Sequence, residues 1–231
     1  MCHFTSLFNS SRLYERVPML PGPTSLYQCP NCDNQLSQES IMSGNTLGAR
    51  VFSDGKMIAR MLPDFPNLTK CEKCNHIFWL SKLEKTTSYR WGTIRNDGSK
   101  RVDRAKFLDL DDYYRAFDVG VVENKREACI VRKRIWWAYN DRIRSGVSIF
   151  QDEHDEKRWK ENCQILQSLL DSSDVNQKMM IAEIHRNLGH FEACITILQS
   201  ISNEKLQWAK DLMILECQQK NKWVVELQSN T

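Results

Sequence analysis

No apolar run in this chain of 231 residues approaches the ~20 residues that a membrane-spanning helix needs. The first twenty residues lack a continuous apolar stretch as well, because Arg12, Glu15 and Arg16 interrupt it, so no secretory leader is read there. Mean hydropathy is −0.53. Together these absences lead us to expect a cytoplasmic protein with no membrane partner. Catalytic signatures are missing too. His154-Asp155-Glu156 has no second His at the helical spacing a zinc peptidase uses. Ser43-Gly44-Asn45-Thr46 and Ser53-Asp54-Gly55-Lys56 lack the flanking glycines of a phosphate-binding loop and read as turns. Asp109, Asp111 and Asp112 are not followed by EF-hand spacing, and acids in the first turn of a helix explain them more simply. No Ser or Cys sits in a recognisable nucleophile elbow. The sequence names no reaction, and its reading is non-catalytic.

What is present is two Cys-x-x-Cys pairs, Cys29-Pro30-Asn31-Cys32 and Cys71-Glu72-Lys73-Cys74. A tight turn at this spacing lets two thiolates reach one ion, and Zn2+ favours four such ligands in a closed tetrahedron. Asp33 and Asn75 follow the pairs, where a left-handed residue is expected, and both types tolerate positive φ. We therefore expect Cys29, Cys32, Cys71 and Cys74 to bind one structural Zn2+. Four thiolates leave no open position for a catalytic water. Iron and unligated thiols remain alternatives. A redox dithiol would need a βαβ setting that neither pair has, and disulfides would need an oxidising compartment. His76, two residues past Cys74, is a candidate replacement ligand or a surface residue beside the knuckle. The other five of the nine Cys, at 2, 129, 163, 194 and 217, show no pairing logic; Cys163, Cys194 and Cys217 fall on apolar helical positions.

These pairs resemble the two knuckles of a zinc ribbon or rubredoxin-like module spanning about residues 26–85. The 39 positions from Cys32 to Cys71 make a long ribbon loop, and the knuckles lack the usual glycines. Inside the loop, Asp54-Gly55 between Ala49–Phe52 and Lys56–Ala59 signals a hairpin with a type I′ turn. Ile77, Phe78, Trp79 and Leu80 read as a strand packed over the site.

Downstream the pattern is helical. Helices are expected over about 109–118, 123–144, 152–171, 174–188, 190–201 and 203–220, with Asp174 as an N-cap and Gly189 just past a C-cap. Trp136 and Trp137 diverge by ~100° on their helix, so one is placed in the core and the other at an edge. Asn140, Asp141, Arg142 and Arg144 form a polar face that is either an interaction surface or solvated charge. His185 and His190, five apart, share no helix face and read as a surface and a turn residue. Residues 182–195, with the Gly189-His190-Phe191 turn, Cys194 at the small position and Leu198 beyond it, resemble one tetratricopeptide repeat. The order of ribbon, aromatic helix and repeat-like hairpin is similar to uncharacterised bacterial proteins, a resemblance that implies no activity.

The expected fold class is α+β: a small β-rich zinc ribbon followed by an antiparallel, repeat-like α-helical domain. Residues 1–25 form a lead-in, 26–85 the ribbon, 86–122 a polar linker with a short helix, and 123–231 the helical domain. Two functional readings follow. One is a protein–protein interaction or scaffold module with a protein partner. The other is nucleic-acid binding through the basic 89–106 segment, where Tyr89, Arg90, Trp91, Arg95, Lys100, Arg101, Arg104 and Lys106 mix cations with aromatics. Residues 86–150 carry 14 Lys+Arg against 9 Asp+Glu, but the whole chain has a net charge of only +3 and a pI near 8.3. The oligomeric state is not legible.

Overall fold

The computed structural model describes residues 19–90 and 102–227 and is α+β, with short strands in the N-terminal half and six α-helices after them. Of the basic segment, residues 91–101 lie outside the described residues. No described helix is long and apolar enough to cross a membrane. The chain forms two compact units. Among the described residues, the first holds 19–48, 59–90 and 102–121; the second holds 49–58 and 122–227.

In the first unit, β1 (Leu20–Pro21) pairs with β4 (Ile41–Ser43). β2 (Thr24–Gln28) and β3 (Gln35–Gln38) pair antiparallel, with Gln28 opposite Gln35. β7 (Leu68–Lys70) and β8 (Ile77–Trp79) do the same, with Lys70 opposite Ile77. Each hairpin carries one Cys-x-x-Cys pair at its tip. β9 (Thr87–Tyr89) extends the first hairpin beside β2, and β10 (Asp103–Arg104) lies parallel to β3. All three residues of β8 are buried, and Trp79 Nε1 donates to the Val121 carbonyl at 2.9 Å. The core around the thiols is small: Tyr27, Leu36, Phe78, Leu80 and Ala105 with Cys29 and Cys71. Helix α1 (Leu110–Asp118) completes this unit, its N-terminus capped by Asp109 accepting from the Asp112 amide.

The second unit contains α2 (Lys125–Arg144), α3 (Glu153–Leu169), α4 (Val175–Asn187), α5 (Phe191–Gln199) and α6 (Gln207–Gln218). Asn124, Asp152 and Asp174 cap the first three of these, each accepting from the backbone amide three residues on, which satisfies a donor the helix leaves open. α2 packs on α3, α4 on α5, and α5 on α6. An aromatic cluster holds one end together: Phe150 lies 5.2 Å from Trp159 and 6.2 Å from Trp223, ring centre to ring centre. Trp136 is fully buried while Trp137 is half-buried, as their divergence on the helix requires.

The loop hairpin belongs to this helical unit. β5 (Arg50–Phe52) pairs with β6 (Met57–Ile58) on one side and with β11 (Glu226–Leu227) on the other. Its turn is not type I′. Only Gly55 has positive φ, at 73°, with the Gly55 amide bonded to the Phe52 carbonyl and the Phe52 amide to the Lys56 carbonyl. That is a three-residue loop with a glycine bulge. Asp54 keeps ordinary φ, and its carboxylate is engaged. Its side chain is fully buried, accepts from Asn140 Nδ2 at 2.8 Å and pairs with Arg144.

Next to it, Ser53 Oγ donates to Glu183 Oε1 at 2.7 Å. Glu183 is held by both Nε (2.8 Å) and Nη2 (2.7 Å) of Arg186. Burial pushes the Glu183 carboxyl up, against the pull of Arg186. The polar residues at the end of α2 therefore serve the interior: Asn140 is buried, Arg144 pairs with Asp54, and Arg142 donates to Asp155 Oδ2 at 2.6 Å. Asp141, the fourth residue of that face, is partly exposed and pairs with Arg144 at 2.7 Å.

Candidate metal centre

The two knuckles have the same local construction. The Cys29 amide donates to the Asn34 carbonyl (2.9 Å) and the Asp33 amide to the Cys29 carbonyl (3.0 Å). In the second, the Cys71 amide donates to the His76 carbonyl (2.9 Å) and the Asn75 amide to the Cys71 carbonyl (2.8 Å). Both turns close through a left-handed residue, Asp33 at φ 55° and Asn75 at φ 58°. The short polar side chain lets these residues take a conformation that most others avoid.

Folded this way, the two tips bring four thiols together. Cys29 Sγ lies 3.6 Å from Cys74 Sγ, and Cys32 Sγ lies 3.7 Å from Cys71 Sγ. All four sulfurs fall within 4.8 Å of one another, and none is in a disulfide. Four metal–sulfur bonds of about 2.3 Å arranged as a tetrahedron set sulfur–sulfur edges of about 3.8 Å. The donor set therefore fits one tetrahedral ion, and these four residues can hold a metal ion. His76 is not part of the group; its ring stacks on Phe78 with centroids 6.1 Å apart and planes 17° apart.

The thiols sit in contrasting surroundings. Cys29 and Cys71 are fully buried, while Cys32 and Cys74 are partly so. Burial pushes the Cys29 thiol up to about 12. The Asn31 side chain and the His76 backbone pull Cys74 down to about 6.

The knuckles are braced by residues that spacing alone did not single out. Asn34 Nδ2 donates to Asp103 Oδ2 at 3.1 Å, tying the first tip to β10. Lys70, just before the second tip, pairs with Asp112 of α1. Arg115 of α1 donates to the Asn75 carbonyl at 2.9 Å and pairs with Asp112 at 2.9 Å. The signal for α1 was its acidic first turn, read only as a helix start.

Within the basic segment, Arg104 pairs with Glu39 at 2.7 Å and Lys106 with Glu72 at 3.1 Å. Those two cations are matched by acids of their own unit. In the helical unit, Cys163, Cys194 and Cys217 are buried among apolar neighbours, and burial alone pushes the Cys163 thiol far above its usual range. No protein family, curated protein or solved structure matches the chain.

Proposed function

We propose that the chain is a non-catalytic zinc-binding protein whose helical unit acts as a protein–protein interaction or scaffold module. The observation that carries the metal half is the convergence of four thiols at the edge lengths of a tetrahedral zinc–sulfur site. In this reading Cys29, Cys32, Cys71 and Cys74 are the ligands, the first unit is a zinc ribbon, and Zn2+ supplies the cross-link that a core this small needs. Four sulfurs close the ion's coordination, so the metal is structural. Purified protein should carry one Zn2+ per chain by elemental analysis, and Cys29→Ser should lose it. Full zinc occupancy in that variant overturns the ligand assignment.

The interaction half rests on a small, partly open apolar hollow in the helical unit. Its walls come from Val51 and Phe52 of the hairpin, Met179 and Met180 of α4, and Leu206 and Trp208 at the start of α6. Thioether side chains adapt to irregular apolar partners, and tetratricopeptide-like hairpins present such surfaces. A pull-down from the native host, with nuclease, should recover a discrete protein with the wild type. Met179→Glu, which places a charge on the pocket wall, should lose it while keeping the metal. Capture that vanishes with nuclease in the wild type would move the function to nucleic acid.

A further inference from the structure

Helix α4 ends in a defined reversal. Gly189 takes φ 81°, its amide donates to the Arg186 carbonyl at 2.9 Å, and the His190 amide reaches back to the His185 carbonyl at 2.8 Å. This pair of bonds is the Schellman arrangement, which brings the residue just past the glycine against the residue three before the cap. Those positions are usually apolar and pack together. Here both are histidines. Their ring centres lie 5.7 Å apart, with the planes at 54°. Five positions along an ideal helix would separate them; the glycine reversal unites them.

The state of the ring nitrogens is unusual. His185 Nε2 lies 2.8 Å from Gln167 Nε2 on α3, so that side of the ring is fixed. His185 Nδ1 is buried and has no hydrogen-bond partner. A buried polar atom left unsatisfied is costly, which asks for a reason. His190 is exposed, does not cap α5 with its side chain, and shows no ring hydrogen bond among the described residues.

We propose that His185 and His190 form a second metal site, a two-imidazole site for a borderline divalent cation such as Zn2+, completed by water. Imidazole nitrogens bind Zn2+ at about 2.0–2.1 Å, so two rings on one tetrahedral ion have centres roughly 5 Å apart. The observed separation is close to that, and the exposed His190 ring can turn to close the difference. Gln167 supplies the outer support. With its amide oxygen turned toward His185, it accepts the Nε2 proton and leaves the Nδ1 lone pair for the ion. One buried and one exposed nitrogen hold an ion less firmly than four converging thiolates. The site is therefore an exchangeable one on a chain whose other metal is enclosed.

The test is a titration of full-length protein, purified with whatever metal it holds, with ZnCl2, followed by calorimetry and by NMR of the histidine ring protons. The expected result is a binding event that moves the His185 and His190 ring signals and leaves His154 in place. His190→Ala, at an exposed position, should abolish it, and Gln167→Ala should weaken it about 10-fold or more. Zinc that moves neither ring, or binding of unchanged strength in His190→Ala, overturns the proposal. Whether the four-cysteine centre holds zinc is read separately, from the metal present before any is added.

Discussion

The two units solve the same problem with different materials. In the first unit, four thiols occupy the middle of a small core cluster. The helical unit buries Trp136, Tyr139, Trp159, Leu166 and Met213 completely, and also encloses the charged pair Glu183–Arg186 and the carboxylate of Asp54. Cysteine shows the contrast best. Cys71 and Cys163 are equally buried, yet one faces three other thiols and the other only packs. Accessibility does not separate the two roles. Spacing and the left-handed turn do.

The sharpest way to break the comparison is to remove one thiol from each unit. Cys71→Ser should remove the metal, and apparent structural-zinc energies of about 10–16 kcal/mol exceed what a unit this small can lose and stay folded. Hydrogen exchange should show β7 and β8 unprotected while α3–α5 stay protected. Cys163→Ala should cost only about 1–2 kcal/mol by urea unfolding and leave the metal in place. Equal effects would erase the distinction.

The next largest effect belongs to the buried charges. Glu183→Ala strands Arg186 in the interior and should cost about 3–5 kcal/mol in the helical unit. Replacing both residues by apolar ones of similar size should recover most of that loss. If the double variant is no better than the single, the pair does more than neutralise itself.

Acid should also act on the helical unit through Asp155. Burial tends to raise its carboxyl, but the Tyr139 hydroxyl, the Arg142 guanidinium and the Gln151 amide together hold it below the usual range. An acid with a folded pKa below its unfolded one stabilises the fold above the unfolded value, near 3.9 for Asp. That contribution disappears as pH falls through the depressed folded value. The urea midpoint of the helical unit should therefore fall below about pH 4, and Asp155→Asn should flatten that part of the curve. The smallest effect is at a helix end: Asp174→Ala removes the cap of α4 and should lower stability by about 1 kcal/mol.

Much of this was legible from local patterns. The Cys-x-x-Cys spacing with Asp33 and Asn75 located the thiol cluster, since each knuckle is built within six residues. Periodicity and caps placed the helices to within a few residues, because both act over a single turn. What stayed hidden is nonlocal. The Asp54-Gly55 turn announced a hairpin, but its membership of the helical unit depends on β11, whose Glu226 lies opposite Phe52. Equally nonlocal are Asn140 and Arg144, which hold the Asp54 carboxylate of its turn in the interior. Asn140 and Arg144 looked like a solvated face because periodicity reports where apolar residues go and is silent on a buried carboxylate. His185 and His190 were separated by counting along a helix that in fact ends between them, at a glycine already recognised as a C-cap signal.

The hairpin sets an order of events during synthesis. Residues 49–58 leave the ribosome before any helix of their unit exists, and β11 emerges last. At about 5–20 residues per second, β5, already beside β6, waits some nine to thirty-five seconds for its second strand partner. Over that interval the nascent chain carries a short, unpaired strand edge, and for roughly the first half of it the Asp54 carboxylate also lacks Asn140 and Arg144. Any fragment that stops before residue 226 keeps that edge unpaired.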